Sequence, residues 1–177
     1  MRSAIAAAIW GLLALGAVNL SIANKEKLLA EGTIVYLELA PVDPRSLMQG
    51  DYMQLRFKVA ADAQLLLVPS ARASLDRALQ TADGRIVVAL DERSVGTFRR
   101  LDDGQPLGSN EVPLRYRVRN GTTKFATNAF FFQEGHAQDY SRARYGQLRV
   151  APDGELLLQA LLDEQLKLLG SSRPDQK

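Results

Sequence analysis

Apolar and polar positions change their rhythm along this chain, and each change marks an element. From Ala4 to Ala23 the chain runs uncharged for twenty residues, with Asn19 and Ser21 as its polar interruptions. At helical rise that length reaches ~30 Å, about one hydrocarbon thickness of a bilayer. Lys25 to Glu31 then predicts a short polar helix that stops at Gly32. Thr33 to Ala40, TIVYLELA, is rich in β-formers and predicts a first strand. From Asp51 onward Leu55, Phe57 and Val59 alternate with Gln54, Arg56 and Lys58. That period of two predicts a strand with an apolar inner face and a basic outer face, able to neighbour the first strand. Tyr52 is out of phase with the inner set. Either a bulge near Met53 brings it inward, or its ring faces the other side of the sheet.

Ala61 to Val68 is apolar without a deciding period. Ser70 is placed as the N-cap of a helix through Gln80, with Leu75 and Leu79 on one face. Asp83-Gly84 is a hairpin turn signal ahead of a strand at Ile86–Leu90, and Val95–Leu101 follows as another. Asp102 to Asn110 is a polar loop. Leu114-Arg115-Tyr116-Arg117-Val118 then echoes Leu55-Arg56-Phe57-Lys58-Val59. The echo is either a two-fold pseudo-repeat or the likeness of any two half-buried strands. Asn120-Gly121 signals a hairpin into an aromatic strand, Lys124–Gln133. Glu134 to Ala143 reads as a short helix with Gly146 at its exit. Gln147–Val150 and Leu156–Leu161 flank Pro152-Asp153-Gly154, where proline presets φ and glycine supplies a positive one.

These elements predict a mainly β chain: an antiparallel β-sandwich or barrel-like domain with one or two short helices, preceded by an N-terminal transmembrane helix. The boundaries expected are residues 1–31 for anchor and lead-out helix, 32–169 for the body and 170–177 for a polar tail. With 177 residues, and no low-complexity tract between elements, one domain plus an appendage accounts for the length.

The stretch from Pro41 to Val59, PVDPRSLMQGDYMQLRFKV, is the most locally determined. Pro44 fixes its own φ and pushes Asp43 toward an extended conformation. Asp43 is then set to bond backbone amides over Arg45-Ser46 and close a turn. Gly50 sits where a strained φ is expected, just before the chain extends. Gly50-Asp51-Tyr52-Met53-Gln54-Leu55-Arg56-Phe57 resembles the signature of the GDYXXLXY family, with Phe57 where the pattern has Tyr. Asp43-Pro44-Arg45 and Phe131-Phe132-Gln133-Glu134-Gly135 resemble further features of that family, so the likeness spans most of residues 24 to 168. The resemblance implies a bacterial protein with an N-terminal membrane segment and no established activity. It also implies a multipass membrane protein as a possible partner, since such proteins are often encoded beside members. Asp43, Arg45, Gly50, Asp51, Tyr52, Leu55 and Phe57 are the binding or structural signature residues it marks here.

Charge and composition narrow the function classes. There are 22 basic and 20 acidic residues, a formal +2, which offers no footprint for nucleic acid. No cysteine is present, which excludes disulfides, thiolate metal sites and a lipoprotein anchor. A single histidine excludes multi-histidine zinc sites, and neither metal nor cofactor is expected. Met1-Arg2-Ser3 is a short basic start, so the uncharged run reads as a retained single-pass inner-membrane anchor with the body on the periplasmic side. Cleavage is the rival, because Ser21-Ile22-Ala23 puts small residues at −3 and −1 of a cleavage site.

Four groups have candidate chemistry. Glu134, His136 and Asp139 bring carboxylates near an imidazole, which orients the ring and raises its basicity, or else forms a solvated helix end. Ser46 with Lys58 faintly resembles a Ser/Lys hydrolase pair, against the plain reading of a turn serine and a solvent-facing lysine. Asp43 and Asp51 joined by Arg45 form either a carboxylate–guanidinium clamp or a loop tie. Arg56, Lys58, Arg115, Arg117 and Arg119 form a basic stripe, serving anionic headgroups or neutralised by acids such as Asp91, Glu92 or Asp102. The reading reached is a membrane-anchored accessory or binding module beside an integral membrane partner, with an envelope hydrolase using Ser46/Lys58 or His136 as the alternative.

Overall fold

The computed structural model describes residues 2–40, 48–49, 52–67, 82–119, 122–127 and 129–170, with side chains from Ile9 onward except at 48–49, 65–67 and 82. It begins with one continuous helix, α1 (Arg2–Glu31), where the sequence suggested a break between anchor and lead-out. The helix stops at Gly32, as expected. The Gly32 N–H donates to the Leu28 carbonyl at 2.9 Å. A Cβ there would lie 2.8 Å from Leu28 Cδ1, so the close turn requires glycine. Arg149 Nη1 donates to the Gly32 carbonyl at 3.1 Å, satisfying an acceptor that the ending helix exposes. Lys25 pairs with Glu155, and Leu28 is buried against the body. Ile9, Trp10, Leu12, Leu13, Leu15, Val18, Leu20 and Ile22 are all exposed. Among the residues whose side chains are described, from Ile9 onward, no helix is long and apolar enough to cross a membrane.

Among the described residues three antiparallel sheets form the body. The first joins β1 (Thr33–Glu38), β9 (Tyr145–Val150) and β10 (Leu156–Leu162) in the order β1-β9-β10. The second is small, β2 (Met48–Gln49), β3 (Tyr52–Gln54) and β8 (Ala129–Phe131), in that order. The third runs β5-β4-β6-β7, from Gly96–Leu101, Ala82–Leu90, Glu111–Arg119 and Thr122–Lys124. Isolated bridges, Tyr36 to Val95 and Leu39 to Phe57, link β1 to the neighbouring sheets, giving a half-barrel rather than a closed barrel. Alternation along each strand puts Val35, Leu37, Ile86, Val88, Leu114, Leu148, Val150 and Leu161 into one core, each at most 1% exposed. Each such side chain contributes about 1.5–3 kcal/mol on burial, so the core and not strand propensity holds the sheets together.

Several predicted elements are confirmed. The β9–β10 hairpin pairs Val150 with Leu156 across Pro152-Asp153-Gly154, and Gly154 takes φ +88°. The polar loop from Asp102 to Asn110 and strands β5 and β6 also stand where expected. The pair β6–β7 sets Arg119 opposite Thr122, and Asn120-Gly121, where the hairpin turn was expected, lies outside the described residues. The helix placed at Ser70–Gln80 falls outside it as well.

The signature strand is shorter than its alternation suggested. β3 ends at Gln54, and Lys58 opens a second helix, α2 (Lys58–Leu67). Burial still alternates: Met53, Leu55, Phe57 and Val59 are inside, while Gln54, Arg56 and Lys58 face out. Val59 and Ala63, four apart, are both buried, so the same residues also satisfy one face of a helix. Alanines at 60, 61 and 63 favour that outcome. The register of β3 with β8 is unbroken, so no bulge turns Tyr52 inward, and its ring packs on Phe131 at 5.7 Å. The first and signature strands meet through the Leu39–Phe57 bridge and the Ala40 N–H bonded to the Arg56 carbonyl at 2.7 Å.

Other expectations are overturned. Asp83 and Gly84 lie within β4, opposite Arg117 and Tyr116, and form no turn. A Cβ on Gly84 would meet Tyr116 Oη at 2.7 Å, so this glycine admits a ring and does not reverse the chain. Gly146 sits inside β9 for the same kind of reason, with Phe57 against it. The aromatic strand is broken into β7 and β8, and the helix after it is one 3-10 turn, Ala137–Tyr140. Nor is there a two-fold repeat: Leu114–Val118 is mid-strand, whereas Leu55–Val59 passes from strand to helix.

Candidate functional site

A cleft of about 710 Å³ opens beside the signature. One wall is the signature itself, Tyr52, Gln54, Leu55, Arg56 and Phe57. α2 adds Ala60, Ala61 and Gln64, and β7 with the residue after it adds Thr122, Thr123, Lys124 and Phe125. Leu55, Phe57 and Phe125 are nearly fully buried, so their contribution is an apolar floor. The size and the mix of apolar floor with a few polar groups suit a small-ligand site. Three signature residues therefore serve twice, since Leu55 and Phe57 belong to the core and Tyr52 to the small sheet.

The polar groups of the cleft have a distinct character. Among the described residues its charged lining is Arg56 and Lys124, with no carboxylate. Both side chains are exposed, and neither forms an ion pair with a described residue. Lys124 also stands directly opposite Arg117 on β6, a like-charge cross-strand pair that is unfavourable by itself. The Thr123 N–H donates to Gln64 Oε1 at 3.3 Å and ties β7 to α2. Thr123 is 6% exposed, and its hydroxyl is buried without a hydrogen-bond partner among the described residues. A buried hydroxyl left so costs about 1–3 kcal/mol, which makes it notable in a cleft wall.

The basic stripe is divided: Arg115, Arg117 and Arg119 share the outer face of β6, whereas Arg56 and Lys58 belong to no strand of that sheet. Lys58 pairs with Glu38 at 3.0 Å, Arg115 with Asp153 at 2.8 Å, and Arg119 with Asp83 at 2.7 Å. The acids are thus Glu38, Asp153 and Asp83; Asp102 instead takes Arg85 at 2.6 Å. Arg119 donating to the Asp83 carboxylate holds that acid below its usual range. The hydrogen bond from Lys58 to Glu38 raises the lysine, opposite to what a general base needs. Lys58 is therefore a surface cation and a poor partner for serine catalysis. Ser46 lies outside the described residues, as do Asp43, Arg45, Gly50 and Asp51.

The group of Glu134, His136 and Asp139 is partly assembled. His136 Nδ1 lies 2.8 Å from Asp139 Oδ2, across the start of the 3-10 turn. Both side chains are well exposed, and Glu134 is exposed and joins no ion pair among the described residues. Behind them Tyr140 packs on Phe130 and Phe132, with centroids 5.0 and 5.4 Å away. The pair orients the ring and presents it to solvent. Among the described residues no cluster of three metal-ligating side chains is present.

The chain alone pointed to Tyr52, Leu55 and Phe57 but not to Gln64, Thr123, Lys124 or Phe125. Thr123 has one weak sequence signal, a threonine in phase with buried Phe125 on a strand otherwise reaching out. A family model described as GDYXXLXY protein matches residues 14–161. No curated protein and no solved structure matches the chain.

Proposed function

From the premise that this chain belongs to the GDYXXLXY family, we propose that it is a membrane-tethered, extracytoplasmic binding module acting beside an integral membrane partner. The surface of α1 supports this reading most directly. Successive residues turn by about 100°, so exposed Ile9, Trp10, Leu12, Leu13, Leu15, Val18, Leu20 and Ile22 cover every side of the helix. A stretch of helix apolar and exposed on every side has no stable place in water. Residues 4–8, Ala-Ile-Ala-Ala-Ala, extend the uncharged run to the length of a span. Arg2 at its start favours the body on the outer side. Leu28, the Lys25–Glu155 pair and the Arg149–Gly32 bond fix the end of the helix to the body, so anchor and body act as one piece. The signature cleft is then the body's recognition surface.

The full chain is expected in the membrane fraction, resistant to high salt and carbonate, and extracted by detergent together with a multipass protein. A version lacking residues 2–23 is expected to be soluble and folded. Full-length protein recovered free in the cytosol overturns the reading, and so does a tethered protein that crosslinks to nothing. A rival reading, an envelope hydrolase built on His136 with Asp139, is supported by their 2.8 Å pairing. Ester hydrolysis by the full chain that vanishes in His136→Ala at unchanged thermal stability would promote it.

A further inference from the structure

We infer that the signature cleft binds a small organic anion, holding its oxyanion head between Arg56 and Lys124 and its apolar body over Phe57 and Phe125. Three independent observations converge on this chemistry. The first is charge: among the described residues the charged lining is wholly cationic, and neither cation is neutralised by a neighbour. Guanidinium and ammonium groups lining one opening are complementary to carboxylate or phosphate oxygens, the guanidinium by its two-pronged geometry.

The second is the strand pair β6–β7. Arg117 and Lys124 are set directly opposite one another, an arrangement that repels. Asp83 faces Arg117 from β4 and partly offsets its charge, but that carboxylate is bonded to Arg119, and Lys124 forms no ion pair with a described residue. An anion at the cleft mouth relieves that repulsion, whereas a neutral ligand leaves it in place. The third is Thr123. Its hydroxyl is buried in a cleft-lining residue with no described partner, so a ligand oxygen that accepts its proton supplies the missing bond. The floor of Leu55, Phe57 and Phe125 adds what a purely inorganic ion would not use.

This inference rests on the reading of the signature cleft as a recognition surface, but not on membrane attachment. The test uses the full chain in an uncharged detergent and three matched probes: 3-phenylpropionate, phenyl phosphate and neutral 3-phenylpropionamide. Binding is followed by calorimetry and by saturation-transfer NMR. At least one anion is expected to bind with Kd of about 1 mM or tighter, and the amide about tenfold more weakly. Whichever anion binds more tightly identifies the head group. Arg56→Gln and Lys124→Gln are each expected to weaken the anion about tenfold, while Arg99→Gln, outside the cleft, leaves it unchanged. Thr123→Val is expected to weaken binding while its Tm stays level or rises, because the variant removes the unpartnered hydroxyl. An amide that binds as tightly as the acids overturns the proposal. So does binding indifferent to both cation variants, or no binding of either anion at about 1 mM. Failure of the membrane-recovery experiment with anion binding intact would instead remove the tether and leave this site standing.

Discussion

Phe57 and Gly146 are best understood as one contact. The ring is 3% exposed and lies against the face of β9, where a Cβ on residue 146 would come 2.9 Å from Phe57 Cε1 and 3.1 Å from Leu158 Cδ1. Phe57 has no solvent to move into and Leu158 is partly buried against the core, so an added methyl must push the ring or bend the strand. Gly146→Ala is therefore expected to cost about 1–3 kcal/mol, the usual range for overpacking a core. The comparison is Gly108→Ala, where the nearest atoms, on the side chains of Glu111 and Asn110, lie at 3.5 Å or beyond, in ordinary van der Waals contact. That variant is expected to stay within about 0.5 kcal/mol of the parent. Denaturant midpoints for the two variants check the claim, and equal losses would disprove it. The same geometry gives the signature's second aromatic its meaning. Position 57 is a packing position, and the hydroxyl that the family pattern has there is dispensable to this chain's core.

Among elements, what could be read in advance divides by range. The β9–β10 hairpin was legible because Pro152, Asp153 and Gly154 specify their turn locally, and the structure gives Gly154 the positive φ they require. β6 was legible because Leu114, Tyr116 and Val118 alternate over a long strand. The end of α1 was legible in Gly32. Gly84 and Gly146 were misread as turn and exit for a shared reason. Glycine marks either positive φ or a close approach, and the rings that approach come from residues remote in sequence, Tyr116 and Phe57. The strand-to-helix change at Lys58 was hidden because alternation through Val59 also places Val59 and Ala63 on one helical face. The cleft could not be read at all beyond its signature wall. Its other walls, α2 and β7, reach it only through the fold, and Thr123 shows its importance only by lacking a partner among the described residues. The attachment of α1 was likewise hidden, since Lys25 and Arg149 find Glu155 and Gly32 across the whole chain.

At the scale of the molecule, ion pairing decides where uncompensated charge remains. Lys58, Arg85, Arg115 and Arg119 are each matched by an acid, whereas Arg56 and Lys124, the cations that line the cleft, form no ion pair with a described residue. Each exposed pair contributes little, about 1 kcal/mol at most, so pairing shapes the field more than the stability. Its stability share has a definite sign with pH. Asp102 is held below the ordinary carboxylate range first by the Gly104 N–H and then by Arg85, and Asp83 is held there by Arg119. A carboxyl with a depressed folded pKa gives its full contribution above the unfolded value of about 3.9 and loses it as pH falls through the folded one. The Tm of the full chain in detergent is therefore expected to be level, as far as these two acids act, from pH 7 to about 5, and to fall below about 4. Asp102→Asn is expected to lower Tm at pH 7 by about 2–4 °C, equivalent to about 1 kcal/mol for a chain this long. The gap between variant and parent should then close as pH drops below about 4, because protonation removes from the parent what the substitution already removed. Melting curves at stepped pH measure that gap, and one that stays constant down to about pH 2 would show that Asp102 stabilises the fold by its shape and not by its charge.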